Sequence, residues 1–370
     1  MKKVIVTSGW AVAYPEGGGM QWLNLHYLAG LRALGIEGYW LDVIEPGKNV
    51  SGTIEEFGAQ CERFGFGGQW AVLDAQRRVH GMNARALEAL CADCDLLINL
   101  SGALQDDDLL RRIRRRAYFD LDPGFMHTWA HQWDMGLSKH NLFFTVGLNV
   151  GQPDFPVPLR DIVWETFVPP VALEFWPVQA GPGGKFTTVG QWRGQQAAWQ
   201  EEYYGPKREE FLKFAELPRR VTQPMELAIL LHESETEDIA AMRGGGWLLT
   251  DPHTVAGKLE GFRQYIQQSR AEFTVAKGGY VKSRSGWFSD RSVCYLASGR
   301  PVIMQDTGFS KFLPTGRGLL TFTTMDEAVI AINAVNADYA AHATAARKLA
   351  EERFAAPNVL QSLLERAGVL

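Results

Sequence analysis

Residues 272–308, EFTVAKGGYVKSRSGWFSDRSVCYLASGRPVIMQDTG, constrain this chain more than any other stretch, because they read as strand, polar loop, helix, strand and glycine turn. An apolar strand over 271–277 leads into the loop Ser283-Arg284-Ser285-Gly286. Ser289 is then a good N-cap for a helix opened by Asp290-Arg291-Ser292 and running through Tyr295 and Leu296. The first turn of such a helix presents unpaired backbone N–H groups and the positive end of its dipole, so a phosphate fits there. Gly299 stops the helix as a C′ residue, Pro301 starts the buried strand PVIMQ, and Asp306-Thr307-Gly308 turns at its carboxyl end. Open α/β sheets bind ligands at that edge.

The rest of the chain repeats this alternation. Strands are predicted at 4–8, 39–44, 95–101, 117–122 and 142–148. A helix is predicted over about 20–34, where Met20, Leu23, Tyr27, Leu31 and Leu34 recur every three or four residues before Gly35. In the second half FTTVGQW, LAILL, GWLLT, EFTVAK, PVIMQ and LLTFT read as strands. Val255, Leu259, Phe262 and Ile266 mark a helix, and the tail from Asp326 is helical. Between the halves, residues 150–182 carry many prolines and lead to Gly181-Pro182-Gly183-Gly184, a linker signal. The expected division is 1–180, 181–350 and a helical tail over 351–370.

SGWFSDRS followed by ASGRPVIMQDTG resembles the donor-nucleotide region of glycosyltransferases with the GT-B architecture, two facing Rossmann-like domains with parallel sheets. FTTVGQWR at 186–193, YYGPKREEFLKF at 203–214 and AEFTVAKGGYVKSRSGWFSDRS are similar to a bacterial group of such enzymes. The resemblance covers most of the C-terminal half, and the N-terminal half matches more loosely. It implies an α/β chain in which 1–180 presents the acceptor, 181–350 holds a nucleotide sugar such as a UDP-hexose, and the last helix crosses back onto the first domain. It implies transfer to a small-molecule or glycan acceptor with no cofactor beyond the donor. Many retaining members carry a glutamate pair eight residues apart in this region. Here those positions are Gly286 and Cys294, so sugar handling is not carried over.

Composition sets outer limits. The 370 residues, 46% hydrophobic and 21% charged, are enough for two cores, and a net charge of −5 gives no support for nucleic acid as a partner. MKKVIVTSGW has too short an apolar run for a signal-peptide core, and no run of 18 apolar residues occurs, so the expectation is a cytoplasmic protein without a membrane span. Peripheral attachment stays open. The four cysteines suit a reducing compartment. Cys91-Ala-Asp-Cys94 lacks the partner pair a zinc site needs, and the i, i+4 pair His127 and His131 lacks a third ligand.

Within this frame the candidate residues fall into three groups. Gly17-Gly18-Gly19, before the first helix, let backbone approach an acceptor or phosphate closely and lack the spacing of a dinucleotide fingerprint. Asp120-Leu121-Asp122 ends a strand; Asp122 or His127 is the candidate base for an acceptor hydroxyl, and the rival reading is a metal-binding D-x-D. On the donor side, Arg193, Lys277 and Lys282 are the candidate cations for a leaving diphosphate. Ser285, Gly286, Ser289, Asp290, Arg291, Ser292, Asp306 and Gly308 are the candidate nucleotide contacts. No metal is expected in turnover. The competing reading is a nucleotide- or glycan-binding protein of the same fold without catalysis.

Overall fold

The computed structural model describes residues 1–370 apart from residues 49 and 51. Eight strands form the first sheet: β1 (Lys3–Ser8), β2 (Glu37–Val43), β3 (Trp70–Leu73), β4 (Val79–Gly81), β5 (Leu96–Leu100), β6 (Arg116–Asp120), β7 (Leu142–Thr145) and β8 (Glu165–Thr166). Their order is β4-β3-β2-β1-β5-β6-β7-β8, parallel throughout except where β4 folds back on β3. The second sheet begins with β9 (Phe186–Gln191). After a two-stranded ribbon, β10 (Ala197–Trp199) and β11 (Glu202–Tyr204), it continues through β12 (Met225–Leu230), β13 (Leu248–Thr250), β14 (Ala271–Thr274), β15 (Val302–Gln305) and β16 (Leu319–Phe322). Its order β13-β12-β9-β14-β15-β16 is wholly parallel. In each sheet the chain starts in the middle and reverses direction once. The crevice at that switch point, β1/β5 in one sheet and β9/β14 in the other, is where doubly wound sheets bind ligands.

Five helices position the site: α1 (Gly18–Ala33), α2 (Lys207–Leu212), α3 (Leu259–Gln268), α4 (Asp290–Ala297) and α5 (Ala356–Arg366). The caps read from sequence form as local chemistry dictates. Ser289 accepts from Arg291 N at the start of α4, and Gly299 follows its end at φ +69°. Leu259, Phe262 and Ile266 form the buried stripe of α3. The strand expected over 271–277 is shorter, because Gly278–Lys282 turn into one short helix before the polar loop.

The helical tail breaks into Met325–Ala337, Tyr339–Leu349, a π-helical turn over Ala350–Phe354 and α5. α5 crosses back onto α1 so closely that a Cβ on Gly30 would lie 2.5 Å from Leu360 Cδ1. One apolar cluster runs from the first sheet through α1, α3 and α4 to α5. At about 1.5–3 kcal/mol for each fully buried large apolar side chain, this shared core dominates domain docking over surface ion pairs worth about 0–1 kcal/mol.

Candidate functional site

Loops leaving the carboxyl edges of both sheets enclose a cleft of about 390 Å³. On the second-domain wall, the half-buried Arg291 in the first turn of α4 is tied inward to the sheet. Its Nε donates to Glu272 Oε1 at 2.5 Å, and its other nitrogens donate to Val189 O at 2.8 Å and Thr274 Oγ1 at 2.9 Å. Glu272 is fully buried on β14 and its Oε2 has no partner among the described residues. Arg291 therefore holds a desolvated carboxylate while its charge remains at the cleft wall.

Beside it stands Lys207, the first residue of α2. It is buried and lines the cleft, and its ammonium makes no hydrogen bond or ion pair among the described residues. Burial, reinforced by the charge of Arg291, holds its pKa well below the ordinary lysine value. Asp290, also in the wall, is pushed the other way: burial raises its pKa and Arg291 opposes the rise.

Across the cleft, Asp122 sits two residues beyond β6 and meets three side chains of the second domain, Lys277, Tyr280 and Gln195. Lys277 Nζ donates to Asp122 Oδ1 at 2.7 Å, to Gln195 Oε1 at 2.6 Å and to Tyr280 OH at 2.9 Å. Tyr280 OH donates to the same Asp122 oxygen. Burial alone would raise the Asp122 pKa, but the charge of Lys277 and the hydrogen bonds from Lys277 and Tyr280 outweigh it and hold the carboxyl below its usual value.

The bare N-terminus of α1 completes this side. Gly17 offers no side-chain cap and no acidic residue occupies the first turn. A Cβ on Gly18 would lie 2.6 Å from Ala256 O, and one on Gly19 would lie 2.9 Å from the Phe262 ring. These glycines let the helix end abut the second domain. Deeper in α1, the Tyr27 hydroxyl lines the cleft, fully buried and without a partner among the described residues.

Solved structures match this arrangement over the whole chain. The Anabaena protein HepE in complex with UDP-glucose superposes with a TM-score of 0.60 at 13% identity, over 100% of both chains. An alpha-glucosyltransferase in complex with UDP gives 0.61 at 12% identity, again over 100% of both. The pneumococcal O-GlcNAc transferase GtfA in complex with UDP and GlcNAc gives 0.57 at 11% identity over 99% of this chain and 98% of the other. The chain has the GT-B fold. No protein-family model and no curated protein sequence matches it.

Within the GT-B cleft, the structure brings together Gly17, Gly18, Gly19, Asp122, Arg193, Lys277, Ser289, Asp290 and Arg291. Other candidates lie elsewhere. His127 is buried between Phe155 and Trp164, outside the cleft lining, and burial pushes its pKa down to about 3. Its Nδ1 accepts from Gly124 N at 3.3 Å, so it braces the turn after Asp122. Lys282 binds Tyr203 O and Glu202 on the ribbon. Ser285 and Gly286 pair with the 147–149 loop of the first domain, Leu148 N and Asn149 N donating to their carbonyls.

Ser292 faces the sheet against Met304, and Asp306 caps its own turn by accepting from Gly308 N at 2.8 Å. Ser289 reaches the cleft, but its hydroxyl is already engaged by Arg291 N at 3.2 Å. Arg193 is exposed and forked onto Glu235 at 2.5 and 2.8 Å.

The two aspartates of the D-x-D spacing diverge. Asp120 is fully buried, accepting from Thr145 Oγ1 at 2.7 Å, with burial raising its pKa to about 7, whereas Asp122 faces the cleft. His131 lies against the Trp199 ring. Among the described residues no group of three or more His, Cys, Asp or Glu is placed to hold a metal, and no helix is long and apolar enough to cross a membrane.

Lys207, Tyr27 and Tyr280 are cleft residues that sequence reasoning missed. Only Lys207 had a usable signal: Gly205-Pro206 sets it at the first helical position after a strand-to-helix connection.

Proposed function

We propose that this protein transfers a hexose from a UDP-sugar donor to a hydroxyl acceptor held in the cleft. The observation that carries the reading is the buried, unpaired Lys207 ammonium beside Arg291. Burial beside Arg291 disfavours the charged form of this lysine until an anion arrives. A nucleoside diphosphate supplies that anion, with the bare α1 terminus opposite to add its dipole. UDP in the complexes of HepE, the alpha-glucosyltransferase and GtfA supports the same reading.

As the bond from the sugar's anomeric carbon to the diphosphate breaks, negative charge grows on the leaving oxygen; the acceptor oxygen bonds to that carbon and its proton passes to the departing diphosphate. Lys207, Arg291 and the α1 terminus stabilise the growing charge, which accelerates the step because the stabilisation is greatest in the transition state. Asp122 faces the acceptor side. Already charge-paired and with a lowered pKa, it orients the acceptor hydroxyl and is a poor proton acceptor. The fixed cations make a divalent metal unnecessary in this reading.

The test is calorimetry with UDP, GDP and TDP, followed by UDP-glucose hydrolysis with and without EDTA. UDP binding with EDTA-resistant turnover is expected. Hydrolysis abolished by EDTA and restored by manganese would overturn the metal-free step. Nucleotide binding without any turnover would favour the non-catalytic alternative.

A further inference from the structure

The segment carrying the β10–β11 ribbon leaves the cleft after Gln195 and returns to it at Pro206, and between those points its first strand lies on the first domain. Trp129 Nε1 donates to Gln196 O at 3.2 Å and Gln132 Nε2 donates to Ala198 O at 3.0 Å. The Trp199 ring sits 4.6 Å from that of His131. The two donors, Trp129 at the end of a short helix and Gln132 in the turn after it, hold alternate carbonyls of the ribbon, those of Gln196 and Ala198, and so set its register. Its second strand is tied to its own domain by Lys282, through Tyr203 O at 2.8 Å.

One residue before the first anchor comes Gln195, preceded by Gly194 at φ +155°, a backbone angle that L side chains rarely adopt. Gln195, like Tyr280, is a cleft residue that touches both members of the charge pair joining the domains. Its Oε1 accepts from Lys277 at 2.6 Å and its Nε2 donates to Asp122 Oδ2 at 3.4 Å. A carboxamide can accept from an ammonium and donate to a carboxylate at once, as the Tyr280 hydroxyl also does here.

Building on the glycosyltransferase reading, we propose that Gln195 is a positioning residue. Seating of the ribbon on Trp129 and Gln132 delivers its carboxamide across Asp122 and Lys277, so the acceptor side of the centre is assembled only when the two domains are in register. A one-residue slip of the ribbon would turn Gln195 out of the cleft. Because Arg193 and Lys207 flank the same ribbon, its seating also sets the spacing between acceptor and donor groups.

The experiment uses the full chain. UDP affinity is measured by calorimetry, and hydrolysis of UDP-glucose, UDP-galactose and UDP-N-acetylglucosamine is measured across pH. The variants are Gln195→Ala, Gln195→Glu, Trp129→Phe and the double variant Gln195→Ala/Trp129→Phe. Gln195→Ala is expected to lower kcat about tenfold, as misplacement of a reacting group does, with UDP affinity within about twofold of wild type. Gln195→Glu should move the acidic limb of the pH profile upward, since a second carboxylate raises the Asp122 pKa.

Trp129→Phe, which removes only the indole donor, should lower kcat about threefold. The double variant should be no worse than Gln195→Ala, because the ribbon anchor acts through Gln195. Additive losses, an unmoved pH limb, or kcat within twofold for Gln195→Ala overturn the proposal. A wild-type chain that binds UDP but hydrolyses none of the three sugars also overturns it while the nucleotide site stands. Absence of UDP binding removes the glycosyltransferase reading itself.

Discussion

Both sheets start in the middle and reverse direction once, yet their first strand-to-helix connections make positive potential by different means. After β1, a loop leads into the 16-residue α1, whose uncapped, acid-free N-terminus offers only backbone dipole. After β9, the chain detours through the ribbon and enters the six-residue α2, where Lys207 supplies a titratable amine and Glu209 and Glu210 occupy the first turn. A dipole comes with the helix and is unaffected by pH. A buried amine can be discharged, so its charge depends on what binds beside it. The first face thus provides a constant field and the second a field that strengthens when an anion arrives.

The harshest test of the second face is Arg291→Ala. Leaving Glu272 buried and unpaired is expected to cost about 3–5 kcal/mol, read as a drop in the urea midpoint. A loss under ~1 kcal/mol would show that the guanidinium is not what anchors α4 to β14.

Lys207→Met should preserve folding but weaken UDP binding about tenfold to a hundredfold, or ~1.4–2.8 kcal/mol. Protonation adds a sign. The free lysine has a depressed pKa and the bound diphosphate raises it, so binding takes up protons, and affinity falls as pH rises through the window between the two values. Calorimetry in buffers of different ionisation heat should show that uptake in wild type and none in Lys207→Met.

Gly18→Ala probes the first face. Its methyl would press on the carbonyls of Ala256 and Lys258, at 2.6 and 2.8 Å. About 1–3 kcal/mol of overpacking is expected, seen as a lowered Tm. An unchanged Tm would mean that the helix end does not abut the second domain. The smallest effect expected is for Arg193→Ala, about threefold or less on UDP affinity, because that guanidinium is exposed and already forked onto Glu235. A larger loss would move the diphosphate toward the ribbon.

What sequence conveyed and what it hid divide along the same physical line. Ser289, Gly299 and the α3 stripe act over three or four residues, so spacing alone located them. Side-chain destinations depend on which face of an element meets which neighbour. Ser292 shares a helix with Ser289 but turns to the sheet, and His127 is closed over by Phe155 and Trp164 from distant segments. Lys282, two residues past Tyr280, is drawn to the ribbon instead of the cleft. Lys207 was hidden by its company, since KREEFLKF reads as an ordinary solvated helix and only tertiary packing strips the water from its first residue.

The packing of α5 on α1 bears on how this molecule is made. At a synthesis rate of about 5–20 residues per second, α1 waits tens of seconds for the segment that covers Gly30. During that interval the flank awaiting Leu360 and Ala356 is bare hydrocarbon on a nascent chain. The first domain therefore carries an uncovered apolar flank until the last helix packs back across it.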